Sequence, residues 1–195
     1  MKLYDAPVTS VEYNGRTYKL KLYFNRVLEA LDYLDDERFA PMERVDLCLW
    51  LLVDGKHPSD EALLIKIFQS IFPEDKKRRK KEKLMDYTQD RSLIVAAFRQ
   101  TYGIDLTAER DRLHWQTFFD LVQGLPSNTR LAEVISIRAR PMPKPNKHNA
   151  EERAELARLK AEYKLELNER EKQDNLQSGF AKIAEYLLKA AERGG

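Results

Sequence analysis

The sequence predicts a mainly α-helical protein: a compact domain of about six helices with a small N-terminal β-hairpin, followed by a helical C-terminal appendage. Three observations carry that expectation. Apolar residues recur at three- and four-residue spacing through most of the chain. Asn14-Gly15 sits between two β-prone runs, the strongest short hairpin signal, because both turn positions tolerate positive φ. Glycine and proline are scarce, at seven and eight of 195 residues, and several stand where periodic segments end.

The hairpin joins Val11-Glu12-Tyr13 to Arg16-Thr17-Tyr18-Lys19-Leu20. Two strands alone are marginal in water, so it must lean on helices or on a partner. From Phe24 the period becomes helical, with Val27, Leu28, Leu31 and Leu34 on one stripe. A second helix is expected from Pro41, a favoured first-turn residue, to Gly55. Its apolar residues cover nearly the whole circumference, which predicts a central, buried helix with Trp50 in the core. Ser59 or Asp60 should cap a third helix carrying Leu63, Leu64, Ile67, Phe68 and Ile71, stopped by Pro73.

Glu74–Lys83, EDKKRRKKEK, contains nothing apolar and reads as an exposed linker or a frayed helical turn. A fourth helix should start at Thr88 or Asp90 and end at Tyr102-Gly103. Thr107 can cap a fifth with Leu113, Trp115, Phe118, Phe119 and Leu121, ending at Gly124. Ser127 or Thr129 can cap a sixth with Leu131, Val134, Ile135 and Ile137 inward. These expectations give a helical domain over 1–140, a Pro-rich linker over 141–149 and an amphipathic helical tail over 150–195. In the tail, Asn149 and Glu152 have capping-box spacing and should open a long charged helix to Gln173. A last helix carries Phe180, Ile183, Leu187 and Leu188.

Chemistry is sparse. No glycine-rich phosphate cradle and no GxSxG elbow occurs, and His57, His114 and His148 lack metal-ligand spacing. Asp86 and Asp90 could share a cation, but both read better as helix-start residues favoured by the dipole. The lone Cys48 lies in the apolar second helix, as a small hydrophobe does. The expectation is therefore no enzyme, no cofactor and no metal. No secretory signal is visible, and the longest apolar run, Leu47–Val53, is far shorter than the ~20 residues a membrane span needs. A cytoplasmic protein is expected.

With 34 basic and 32 acidic side chains, net charge +2, the whole molecule exerts little pull on nucleic acid or membrane. Lys76, Lys77, Arg78, Arg79, Lys80, Lys81 and Lys83 form a local basic patch that can contact phosphates. No aromatic residue interleaves them, so a solvated linker is favoured over nucleic-acid binding. The tail offers the other candidate surface. The narrow stripe of Leu156, Leu159 and Tyr163, with Phe180, Ile183, Leu187 and Leu188 beyond it, suits a groove on a partner, self-association or the chain's own body.

The stretch from Asp86 to Arg140 resembles a known family. Asp90 ahead of an aromatic-ended helix, Tyr102-Gly103-Ile104-Asp105-Leu106, Leu113-His114-Trp115, Gly124-Leu125-Pro126 and Ile135-Ser136-Ile137-Arg138 are similar to the gene-product-fifteen family of tailed bacteriophages and prophages. With the hairpin, the resemblance spans about residues 11–140, while Tyr23-Phe24-Asn25-Arg26 departs from the family's usual lead-in to the first helix. It implies a tail-morphogenesis protein encoded near the tape-measure gene. Such proteins act as tail assembly chaperones that bind the tape-measure protein and help recruit tail-tube subunits in the host cytoplasm. A structural minor component of the tail is the alternative the resemblance leaves open, and nucleic-acid binding through residues 76–83 is a second.

Overall fold

A computed structural model of the chain describes residues 6–72 and 83–166. Within them lie two strands, β1 (Ser10–Tyr13) and β2 (Arg16–Lys19), and seven helices. The helices are α1 (Phe24–Asp35), α2 (Pro41–Leu52), α3 (Glu61–Ile71), α4 (Arg91–Tyr102), α5 (Trp115–Gln123), α6 (Arg130–Ala139) and α7 (Ala150–Glu162). The fold is mainly α with an N-terminal hairpin, as the periodicity predicts. The described residues sort into two compact units: 6–72 with 107–123, and 83–106 with 124–166.

In the first unit the hairpin pairs Ser10 with Lys19 and Tyr13 with Arg16. Asn14 and Gly15 both have positive φ, +49° and +72°, as a two-residue hairpin turn requires. The hairpin leans on α3: the Tyr13 hydroxyl donates to Asp60 Oδ2 at 2.6 Å. The other oxygen of Asp60 accepts from the Ala62 N–H at 2.9 Å and caps α3. One carboxylate thus starts a helix and anchors the sheet.

Helix α2 stops at Leu52, three residues before Gly55, because the chain turns extended there. Val53 forms an antiparallel bridge with Leu20, and Leu52 accepts the Lys21 N–H at 2.8 Å. The expected fifth helix is also shorter. Residues 106–112 are turns, and the helix begins at Trp115 rather than after Thr107. Asp111 interrupts it: its φ is +56°, a left-handed conformation that α-helix cannot continue through. Asn25, itself buried, and Arg26 hold Asp111 there, with Asn25 Oδ1 accepting its N–H at 2.9 Å and Arg26 Nε donating to its carboxylate at 2.5 Å.

The core of this unit is aromatic. Phe24 stacks on Phe118 at 4.9 Å between centroids, and Trp115 meets Phe72 edge-on at 5.4 Å. Val27, Cys48, Leu49, Leu63 and Ile67 complete it, all inaccessible to solvent.

In the second unit Gly103 ends α4 in the left-handed conformation at φ +68°, its N–H closing on Arg99 O at 3.1 Å. Thr129 caps α6 by accepting the Ala132 N–H. Ile94, Phe98, Leu131, Val134 and Ile137 are buried, so Ile137 points inward more fully than Ile135, which is half-buried. Helix α7 packs on α6 and ends at Glu162, eleven residues short of the expected Gln173. Asn149 does not cap it. Its Oδ1 accepts the Asn146 N–H and its Nδ2 donates to Lys144 O, both at 2.9 Å, so the residue closes the proline-rich stretch into a compact turn.

Candidate partner-binding surface

Two members of the family-like pattern that lie far apart in sequence meet in the second unit. Asp90 sits at the N-terminus of α4 and Arg138 in the last turn of α6. The Arg138 guanidinium donates to both Asp90 oxygens, at 2.7 and 2.8 Å, with both side chains nearly excluded from solvent. Arg138 also donates to Leu84 O at 2.9 Å and to Tyr163 O at 2.7 Å. One side chain therefore ties the approach to α4, the body of α6 and the end of α7 together. Asp86 is engaged separately, by Lys83 at 2.7 Å and by the N–H groups of Thr88 and Gln89. Burial alone would raise its carboxyl, but these hydrogen bonds outweigh it and hold the group below the ordinary aspartate range. The two aspartates serve helix and ion-pair chemistry, and no group of three or more His, Cys, Asp or Glu able to hold a metal occurs among the described residues.

The His114-Trp115 pair is structural. His114 Nδ1 accepts the Gln116 N–H at 3.1 Å, which leaves Nε2–H to donate to Val8 O at 3.0 Å. On either side, Phe24 N–H donates to Leu113 O at 3.0 Å and Trp115 N–H to Leu22 O at 2.7 Å. Trp115 is 1% exposed and central to the aromatic core, while Leu113 is half-buried. Cys48 is fully buried with its thiol toward Ala30 O at 3.2 Å, and burial pushes it up to about 12. His57 is half-buried with its Nδ1 3.2 Å from Pro58 O, and the His148 backbone N–H donates to Asn146 Oδ1.

The candidate contacts in the tail divide at the edge of the described residues. Leu156 is 4% exposed, covered within its own unit, and Leu159 and Tyr163 are half-buried. The Tyr163 ring lies under the Arg130 guanidinium, 5.3 Å from the centroid, and its hydroxyl accepts from Arg130 Nη2 at 2.5 Å. Lys160 Nζ donates to Arg138 O at 2.6 Å. The Gln89 amide brackets Glu166, donating to its carbonyl at 2.7 Å and accepting its N–H at 2.8 Å. Residues 150–166 thus fold onto their own unit. Phe180, Ile183, Leu187 and Leu188 lie outside the described residues, as do Lys76, Lys77, Arg78, Arg79, Lys80 and Lys81 of the basic run. Lys83, its last member, is occupied by Asp86.

The structure places Trp50 where the sequence does not. It is 67% exposed, not in the core, and Met42 on the same helix is 50% exposed. A helix with apolar residues all round looks central, but α2 buries Val45, Cys48, Leu49, Leu51 and Leu52 on one side and leaves Met42 and Trp50 outward. The available signal was the pair of acidic residues, Glu43 and Asp46, which share that outward side. On α4, Arg91, Val95 and Arg99 line a shallow open groove of about 550 Å³.

A family model described as bacteriophage Gp15 protein matches residues 3–165. The chain belongs to that family. The match reaches further than the resemblance read from residues 11–140. It includes α7 and stops at Leu165, one residue before the Gln89 clamp on Glu166. No curated protein sequence and no solved structure matches the chain. Among the described residues no helix is long and apolar enough to cross a membrane.

Proposed function

We propose that this Gp15-family protein is a non-enzymatic phage tail assembly factor, a chaperone that binds the tape-measure protein and assists tail-tube assembly in the cytoplasm of the bacterial host. The observation that carries this reading is the family match over residues 3–165. Physical chemistry supports it. An unassembled tape-measure protein presents long apolar helical stripes that aggregate unless covered. A helical body with exposed apolar side chains, Met42 and Trp50, on an otherwise highly charged surface can cover such a stripe and keep the complex soluble.

Co-expression with the tape-measure protein encoded nearby tests the proposal. The expected outcome is a partner that is insoluble alone but soluble and co-purifying with this chain. A partner that stays insoluble, with nothing co-purifying, removes the chaperone role. Retention of this chain in purified phage particles would instead mark it as a minor tail component.

A further inference from the structure

We propose that the outward arc of α2, centred on Trp50 with Asp46 and Glu43 to either side of it and Met42 and Leu47 at its edges, docks an amphipathic helix whose apolar stripe is bordered by lysine or arginine. At about 100° per residue, these five positions fall within roughly 140° of the helix circumference. Of the other α2 residues, Val45, Cys48, Leu49, Leu51 and Leu52 are buried, while Arg44 is half-buried and Pro41 is exposed at the helix start. Met42 and Trp50 are eight positions apart, or roughly 12 Å of rise, which matches about two turns of a partner helix. Tryptophan and methionine are enriched at binding interfaces, and a largely exposed tryptophan adds nothing to the core that Trp115 already fills.

Charge decides the occupant. The Glu43 carboxylate is held by the Ala40 N–H at 2.7 Å and that of Asp46 by the Ser59 hydroxyl, both neutral donors. Among the described residues neither carboxylate is in an ion pair, so the arc presents two positioned negative charges, one on either side of Trp50. A second copy of this chain seated arc on arc would place like charges together. A helix flanked by basic side chains matches both the apolar and the acidic elements. This surface rests on the assembly reading only for the natural identity of that helix, which would then be a segment of the tape-measure protein.

The test uses the full chain and two synthetic amphipathic peptides with the same leucine stripe, one flanked by lysine and the other by glutamate. Trp50 is the solvent-accessible one of the two tryptophans, so acrylamide quenching reports on it. The lysine-flanked peptide should protect Trp50 and shift emission to the blue, while the glutamate-flanked peptide should do neither. Trp50→Ser, with an unchanged unfolding midpoint, should weaken lysine-peptide binding by roughly tenfold or more. Glu43→Lys combined with Asp46→Lys should reverse the preference between peptides. Equal binding of the two peptides, no binding, unchanged affinity in Trp50→Ser, or Trp50-dependent dimerisation would each overturn the proposal. Co-expression separates it from the assembly reading. If wild type and Trp50→Ser solubilise the tape-measure protein equally, this surface is wrong and the chaperone survives. If wild type fails to solubilise it while the peptides behave as expected, the chaperone is wrong and the surface survives.

Discussion

Arg138 holds Asp90 in a bidentate grip across 48 residues of sequence, with side-chain exposures of only 10% and 4%. Charge-assisted pairs of this geometry are the stronger kind of hydrogen bond, yet both ions gave up water to form it. The consequence is asymmetric. Asp90→Ala leaves a buried guanidinium without its carboxylate and should cost about 3–5 kcal/mol. An Asp90→Leu, Arg138→Met pair removes both charges and should cost clearly less than either single change. Urea denaturation of Asp90→Ala, of Asp90→Leu and Arg138→Met singly, and of the double variant checks this, and a double variant as unstable as the sum of its singles would refute the ion-pair account.

The two tryptophans should separate stability from binding. Trp115→Ala opens the aromatic cluster of Phe24, Phe72 and Phe118 and should destabilise by about 3–5 kcal/mol. Trp50→Ser, at an exposed position, should stay within about 0.5 kcal/mol of wild type. Thermal and urea midpoints for the pair distinguish the roles.

Acid should weaken the fold over a defined window. Arg38 holds Asp36 down at about 2, Arg26 with Asn25 lowers Asp111, and Asp86 is lowered despite burial. Each folded-state value lies below the ordinary 3.8, so the unfolded chain binds more protons in this range. Their stabilisation is complete above the unfolded value and is lost as pH falls toward the folded ones. Unfolding midpoints measured at about pH 6, 5 and 3 should be similar for the first two and clearly lower at the last. A midpoint flat down to pH 3 would contradict the assignment.

Cys48 should be chemically silent in the native protein. Its thiol is fully buried and pushed up to about 12, so almost no thiolate exists at neutral pH and reagents have no path to it. Thiol titration should give negligible reaction until denaturant is added, then one equivalent. Rapid labelling of folded protein would show that α1 and α2 part readily.

Asn149 should matter more than an exposed linker residue would. Asn149→Ala removes its bonds to Asn146 and Lys144 and should cost about 1–2 kcal/mol locally. Limited trypsin digestion should then cut faster after Lys147, since the Lys144-Pro145 bond resists trypsin, with α6 and the first unit unaffected. An unchanged cleavage rate would mean the turn is held by something other than this side chain.

Local chemistry was legible in the sequence. Asn14-Gly15 makes the hairpin turn, Asp60 and Thr129 cap their helices, and Gly103 ends α4, each because the decisive interaction lies within a few residues. Family membership was legible too, since the motifs that carry it are short runs. What the sequence did not show depends on residues far apart. The left-handed Asp111 that shortens α5 is set by Asn25, 86 positions away, and the pairing of Asp90 with Arg138 spans 48. Asn149 looked like a cap and became a clamp, because its side chain found the preceding turn before the helix behind it. Trp50 marks the limit most sharply. Periodicity counts apolar positions around α2, but only packing decides which of them meet a neighbour. The sequence by itself determined the class, the caps of α3 and α6 and the family, because those follow from near-neighbour physics. The tertiary structure alone decided which apolar face stays uncovered, because burial is a property of the elements that arrive from elsewhere in the chain.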